Sequence, residues 1–306
     1  MQKKNLILIV IIAAVILLVS IYMYSNMSKD SASGRQNQVT VYTSFFPLYD
    51  TASKIAGNSA DVETVIPKGA EAHSYKPSPK QIAALEKADI FFYIGLGMEP
   101  WADKVVNNSE ETSLETVRVS KGLDLIENNH HHQYDTHVWL DPLNMLKIAE
   151  MMKDKLVQLD PDNKEIYEEN FKNYQSKIEE VHNDYKSVFK DKSKKYIMVS
   201  HAAFSYLAER YGFKQLAVSG VAPHEEPSPG ALAGLTKKAE DYGLEYIFME
   251  TLASPRIVNV LAEEANLEIL TLHTAAGLTG EQIQNDVDYF TLMKINLDNL
   301  NKAVGD

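Results

Sequence analysis

Val39-Thr40-Val41-Tyr42-Thr43-Ser44-Phe45-Phe46-Pro47-Leu48-Tyr49-Asp50-Thr51-Ala52-Ser53-Lys54-Ile55-Ala56-Gly57 decides the fold class. Its first five residues have the β-branched and aromatic composition of a strand. Pro47 marks a helix start, because proline in the first helical turn lacks only an amide hydrogen that would find no partner there. Gly57 suits the end of that helix, where a left-handed cap costs glycine nothing. A second strand is expected over 62–66, closed by Pro67. Ser78 reads as an N-cap with Pro79 at the first helical position, opening a helix through Leu85. The apolar run Ile90-Phe91-Phe92-Tyr93-Ile94 reads as a buried strand. Strand, helix and strand in quick succession predict a parallel sheet wrapped by helices.

The middle of the chain differs. Asp160-Pro161-Asp162 opens a helix on which Tyr167, Phe171, Tyr174, Ile178, Val181, Tyr185 and Val188 recur at steps of four and three. That is one narrow apolar seam on an otherwise charged helix. Residues 167–188 would extend roughly 32 Å. Three heptads hardly sustain a coiled-coil dimer, so the seam is expected to pack along its own protein and the helix to cross between lobes. After Lys195 the alternation resumes, with strands over 197–200, 215–218, 245–249 and 268–272. Helices are expected over 204–211, 229–242, 255–265 and 286–304. The sequence therefore predicts an α/β protein of two lobes, each a mainly parallel sheet flanked by helices, bridged by one long rigid helix. The N-terminal lobe covers 39–160, the linking helix 161–192 and the C-terminal lobe 193–306.

Upstream of this, residues 6–24 run almost unbroken in Leu, Ile, Val and Ala behind Lys3 and Lys4. Nineteen residues span roughly 28 Å as a helix, close to a bilayer core, and the lysines argue for a cytoplasmic start and an exported remainder. Ser31-Ala32-Ser33 offers a cleavage site, but the run exceeds the roughly 7–15 residues of a signal-peptide core. An uncleaved anchor on the outer face of the cell membrane is therefore favoured over a secreted, cleaved form. Small polar residues over 25–38 read as a tether. The chain has no cysteine, which excludes disulfides and a lipid-modified thiol. Net charge is −12 overall and +3 on residues 1–38, leaving −15 on the exported part. So acidic a surface disfavours nucleic acid and mildly attracts cations.

Three histidines sit in polar stretches beside strand-like or turn-like segments: His73, His137 and His201, 64 residues apart in each step. Such spacing rules out a local finger. If they converge, the fold brings two halves of the chain together around them. Neutral imidazole is the commonest metal ligand among side chains. Asp135 and Asp141 flank His137 and could orient its ring by accepting the second N–H. His201 stands one residue past its expected strand, where such sheets collect ligands. Three imidazoles plus one further donor satisfy zinc, whereas manganese prefers more oxygen. Glu250 and His273, each after a strand, are candidates for the fourth ligand or for a partner behind the ligands. His130-His131-His132 reads as an exposed tract for accessory metal capture. His224 and His182 read as surface residues, and Gly95-Leu96-Gly97 lacks the third glycine of a nucleotide site.

The chain resembles the solute-binding proteins of zinc/manganese ABC importers, the ZnuA and TroA type. The likeness is carried by Ala72-His73-Ser74-Tyr75-Lys76-Pro77-Ser78-Pro79, Gly95-Leu96-Gly97-Met98-Glu99-Pro100-Trp101 and Thr136-His137-Val138-Trp139-Leu140-Asp141-Pro142. Ser200-His201-Ala202-Ala203-Phe204, Tyr211-Gly212 and Glu226-Pro227-Ser228-Pro229 add to it. The resemblance covers nearly everything from Val39 onward. It implies a metal cleft between two lobes and delivery to a membrane permease driven by a cytoplasmic ATPase. It places the first three ligands on His73, His137 and His201, and a histidine at 201 favours zinc over manganese. The family's carboxylate after the last strand has no counterpart in His273-Thr274-Ala275-Ala276-Gly277, so water, His273 or Glu250 completes the sphere. The expected protein is a monomeric, non-enzymatic zinc receptor. A manganese receptor is the near alternative. A zinc hydrolase is a different class, but His-Glu-x-x-His and a nucleophile elbow are absent and Glu250 is the one evident acid or base. Nothing in the sequence supports the surface adhesin that forms a third class.

Overall fold

The computed structural model describes residues 38–109, 112–128, 133–190, 196–220, 228–252 and 254–304. The expected anchor, the His130-His131-His132 tract and His224 lie outside the described residues. Among the described residues no helix is long and apolar enough to cross a membrane.

Two four-stranded sheets carry the architecture. The first holds β1 (Val39–Thr43), β2 (Ala60–Thr64), β3 (Ile90–Tyr93) and β4 (Glu115–Arg118) in the order β2-β1-β3-β4. A short antiparallel hairpin follows, β5 (Glu127–Asn128) with β6 (Gln133–Tyr134). The second sheet holds β7 (Tyr196–His201), β8 (Lys214–Ser219), β9 (Tyr246–Met249) and β10 (Glu268–Thr271) in the order β10-β9-β7-β8. Read from its other edge, it repeats the strand order of the first. In each sheet the first and third strands are central neighbours and run parallel, with Val41 opposite Ile90 and Met198 opposite Ile247. Ligands gather at the carboxyl ends of such strands, where the order switches.

Local chemistry explains the elements. All four residues of β3 are buried, as an apolar strand covered on both faces must be. The helix Pro79–Leu85 opens with a capping box in which Ser78 Oγ accepts from the Gln81 amide and the Gln81 side chain accepts from the Ser78 amide. Gly57 ends the helix Phe46–Ala56 at a φ of 57°. A Cβ there would also approach Asn170 Nδ2 at 3.1 Å.

The long helix spans Lys164–Phe189, 26 residues and about 39 Å. It begins later than the expected position, because Pro161–Asn163 forms a separate 3₁₀ turn. Asp160 ties that turn down by accepting from Asn163 and Tyr167. Of the seven seam residues, Tyr167, Tyr174, Ile178 and Tyr185 are buried, and Phe171, Val181 and Val188 are half-buried. A straight helix drifts against a seven-residue repeat, so a seam of that period cannot stay on one face. It packs on its own chain, against Phe46–Ala56, Pro142–Leu159 and the C-terminal helix Tyr289–Ala303. Tyr174 and Thr51 share a hydroxyl hydrogen bond of 2.9 Å, and Tyr185 donates to the Met293 carbonyl. The helix Pro142–Leu159 is not among the expected elements, although Asp141 caps it through the Leu143 amide. Its Asp-Pro start matches the signal at Asp160-Pro161.

Glu99 sits at the carboxyl end of the first sheet's central pair, 2% exposed. It accepts from Ser44 Oγ at 2.6 Å and from the Ile94 and Gly95 amides at 3.0 Å. Burial pushes its carboxyl up to about 7, although those three donors favour the charged form. Below pH 4.5 the group is neutral folded and unfolded alike. Between about 4.5 and 7 the folded protein keeps a proton that the unfolded chain releases, so stability falls as pH rises, by on the order of 3 kcal/mol. Denaturant unfolding across pH 5–7.5 should show this decline in the native protein and a flatter profile in Glu99→Gln, whose absolute stability is lower. In the seam, Tyr174→Ala should cost about 3–5 kcal/mol and Tyr174→Phe about 1 kcal/mol in the same assay.

Candidate metal centre

His73 lies in the turn that leads from β2 to the helix Pro79–Leu85. Its shape is fixed by Glu71, whose carboxylate accepts from the His73 amide at 2.9 Å and the Ser74 amide at 2.8 Å. Burial pushes the Glu71 carboxyl up, but bonds from Ser74 and His73 outweigh it and hold it below the usual range. His137 directly precedes a 3₁₀ turn, Val138–Leu140, and is fully buried. Asp135 Oδ1 accepts from its amide at 2.9 Å and faces its Nδ1 at 2.8 Å. Burial of Asp135 is likewise outweighed by His137, which holds the carboxyl below its ordinary value. His201 is the last residue of β7 rather than one beyond it. Its Nδ1 bonds Glu250 Oε1, which Ser200 Oγ also reaches.

The three Nε2 atoms converge. Those of His73 and His137 are 3.1 Å apart, and those of His201 and His137 are 3.3 Å apart. Ligand nitrogens of all three histidines lie within 4.8 Å of one another. A carboxylate at Nδ1 keeps the ring hydrogen there and leaves Nε2 as a bare lone pair. His137 and His201 are both arranged this way, so two lone pairs face each other at close range. They repel unless a cation stands between them. Imidazole nitrogens at 2.0–2.1 Å from a tetrahedral zinc ion are about 3.3 Å apart. The spacing suits such an ion.

The other candidates take different places. Glu250 is the partner behind His201. His273 donates its amide to Asn296 Oδ1 at 2.6 Å, while its ring meets Thr251 Oγ1 at 3.3 Å and Gln282 Nε2 at 3.2 Å. It is not part of the cluster, and burial lowers its pKa. Asp141 is bound elsewhere than to the His137 ring. It caps Pro142–Leu159 and pairs with Arg210, with Nη2 to Oδ2 at 2.6 Å. His182 is half-buried instead of exposed, with Nδ1 3.0 Å from the Tyr211 hydroxyl. Burial first, then Arg210 and Lys186, lowers its pKa.

Contacts that the sequence did not announce hold the two sheets' carboxyl ends together around this cluster. Arg210 follows β7 and Asp141 belongs to the turn of His137, so their ion pair ties the segment after His201 to the turn of His137. Tyr206 donates to the Asp135 carbonyl at 2.8 Å, and Trp139 Nε1 donates to the Thr274 carbonyl at 2.6 Å. The Leu278 amide reaches the Lys68 carbonyl at 2.6 Å. Gly277 makes that approach possible, since a Cβ on it would stand 2.8 Å from the Lys68 oxygen. A cavity of about 140 Å³ adjoins His73 and His201. A larger groove of about 700 Å³, beside Asn259 and Glu268, lies at the amino ends of β9 and β10, away from the histidines.

Residues 41–303 match the family described as ZnuA, zinc-uptake complex component A periplasmic. The chain belongs to the ZnuA family. It is 34% identical over 307 aligned positions to the high-affinity zinc uptake system protein ZnuA of Bacillus subtilis (strain 168), covering 96% of each chain. It is 32% identical to the zinc-binding lipoprotein AdcA of Streptococcus pneumoniae (strain ATCC BAA-255 / R6), where 92% of this chain spans 58% of that one. The crystal structure of the Zn(II)-bound ZnuA-like domain of Streptococcus pneumoniae AdcA superposes with a TM-score of 0.79 at 32% identity, covering 88% of this chain and 100% of that domain. This ZnuA-family member thus shares its fold with the whole of a zinc-bound domain.

Two outcomes test the supporting contacts. Asp135→Asn removes the charge behind His137 and should weaken metal binding roughly 10–100-fold by competition titration. Arg210→Ala leaves Asp141 buried without its partner. It should cost on the order of 2 kcal/mol by chemical denaturation, below the figure for a fully buried pair because the Arg210 side chain is 35% exposed.

Proposed function

We propose that this chain is an extracytoplasmic receptor that captures zinc in the cleft between its two lobes and delivers it to the permease of an ABC importer driven by a cytoplasmic ATPase. His73, His137 and His201 are the proposed ligands. One observation carries the reading: three Nε2 atoms converge while carboxylates hold the Nδ1 atoms of two of the rings. Zinc is cargo here, and the family is one of receptors rather than enzymes. An all-nitrogen donor set favours zinc over the more oxygen-seeking manganese. Names of the relatives, a zinc uptake protein and a zinc-binding lipoprotein, agree with that choice.

The lobes are proposed to cover 39–160 and 193–306, with 161–192 as a linking helix. Attachment to the outer face of the membrane is proposed to run through the apolar segment at 6–24, because no cysteine is available to carry lipid. The receptor is proposed to act as a monomer, with no nucleic-acid partner. His130-His131-His132 is proposed to assist metal capture.

Metal is bound through neutral imidazoles, so binding must displace any proton they carry. His137→Ala should weaken zinc binding by more than the roughly 10–100-fold that a partner behind a ligand contributes, measured by competition with a chromophoric chelator. Unchanged affinity in that variant rejects the ligand assignment. A zinc-versus-manganese competition on the native protein should favour zinc, and preference for manganese rejects the cargo.

A further inference from the structure

The cavity beside His73 and His201 is lined by Ala72, Leu252 and Ala276 on its apolar side and by Glu71, Glu250, Ser254 and Thr274 on its polar side. Three imidazoles around a tetrahedral ion leave one coordination position to be filled. Among the described residues, the groups within mutual reach of an ion are the three histidines. Glu250 is turned onto Ser200 and His201, and Glu71 onto the amides of 73 and 74. Ala276 offers a methyl group and no donor. The space, about 140 Å³, is several times the roughly 30 Å³ that one water occupies in the liquid. A single small heterocycle fits such a volume.

Charge decides what kind of donor enters. Asp135, Glu250 and Glu71 set three formal negative charges around a divalent ion, and among the described residues lining the cavity there is no Lys or Arg. An anion as the fourth donor would leave this largely buried assembly two charges negative, which a site of lowered dielectric opposes. A neutral donor adds no charge.

We infer that the receptor holds its metal with an exchangeable neutral co-ligand in this cavity, admitting a small nitrogen base of the imidazole class in place of water and rejecting small anions. The inference rests on the receptor reading, since it presumes that the three histidines hold the ion. Cargo could then arrive either as the bare ion or already carrying one imidazole-bearing solute.

The test uses the full chain loaded with one equivalent of cobalt(II), whose visible bands report its coordination. Imidazole should shift the bands saturably, at a concentration at least tenfold below that at which azide or acetate acts, with the metal still bound after desalting. Ala276→Leu fills the cavity and should retain cobalt(II) while losing the imidazole response. Ala276→Gln supplies a neutral protein donor and should lose the response while still holding cobalt(II). Bands that imidazole leaves unmoved, or that azide moves equally well, overturn the proposal. So does an Ala276→Leu protein that responds like the native one. The comparison of imidazole with azide on the native protein needs no variant to fold. Cobalt(II) bands that persist unchanged in His137→Ala would instead remove the three-histidine site, and the receptor reading would fail with it.

Discussion

Hydrogen bonds that the outer nitrogens of His137 and His201 donate to carboxylates are the constraint on which the rest depends. Asp135 and Glu250 hold the Nδ1 atoms and so turn two Nε2 lone pairs toward one another. A protein gains nothing in stability from opposed lone pairs in a buried site, and the arrangement makes sense as a place made ready for a cation. Much of the surrounding structure keeps those rings where they are. Glu71 shapes the turn of His73, the Arg210–Asp141 pair fastens the His137 turn to the helix after His201, and Trp139 and Leu278 join the 68–70 and 274–278 segments to the opposite lobe.

The matching strand orders of the two sheets give this site a further logic. In each sheet a serine at the end of the first strand bonds a buried glutamate that follows the third: Ser44 with Glu99, and Ser200 with Glu250. The two glutamates have parted in role. Glu99 turns to the backbone amides of Ile94 and Gly95 and is held near neutrality by burial. Glu250 instead has His201 beside it and holds that ring's Nδ1. One switch point therefore stabilises its lobe, while the other orients His201 toward the cluster.

Much of this was legible in the sequence because the signals are local. Proline and glycine at 47 and 57, the Ser78 cap, the apolar run at 90–94 and the tyrosine seam each state an element through its own short-range chemistry, and the βαβ alternation follows from them. His73, His137 and His201 stood out because polar histidines beside strands are conspicuous. What stayed hidden is long-range. Nothing in Arg210 names Asp141, 69 residues away, and nothing in Trp139 names Thr274. The fate of Glu250 and His273 was equally open, because a residue at a strand end can face the cleft or its own lobe. There the structure decides, with His273 drawn to Asn296, Thr251 and Gln282. The helix Pro142–Leu159 is a different case, since its cap and its buried stripe of Met145, Ile148, Met152 and Leu156 were there to be read.

X-ray absorption spectroscopy at the zinc edge of the full chain, loaded with one equivalent of zinc, tests the central claim most directly. Three histidine imidazoles at about 2.0–2.1 Å with one further oxygen or nitrogen donor is the predicted shell. A shell with fewer than two imidazoles, or one built mainly of carboxylate oxygens, would contradict it.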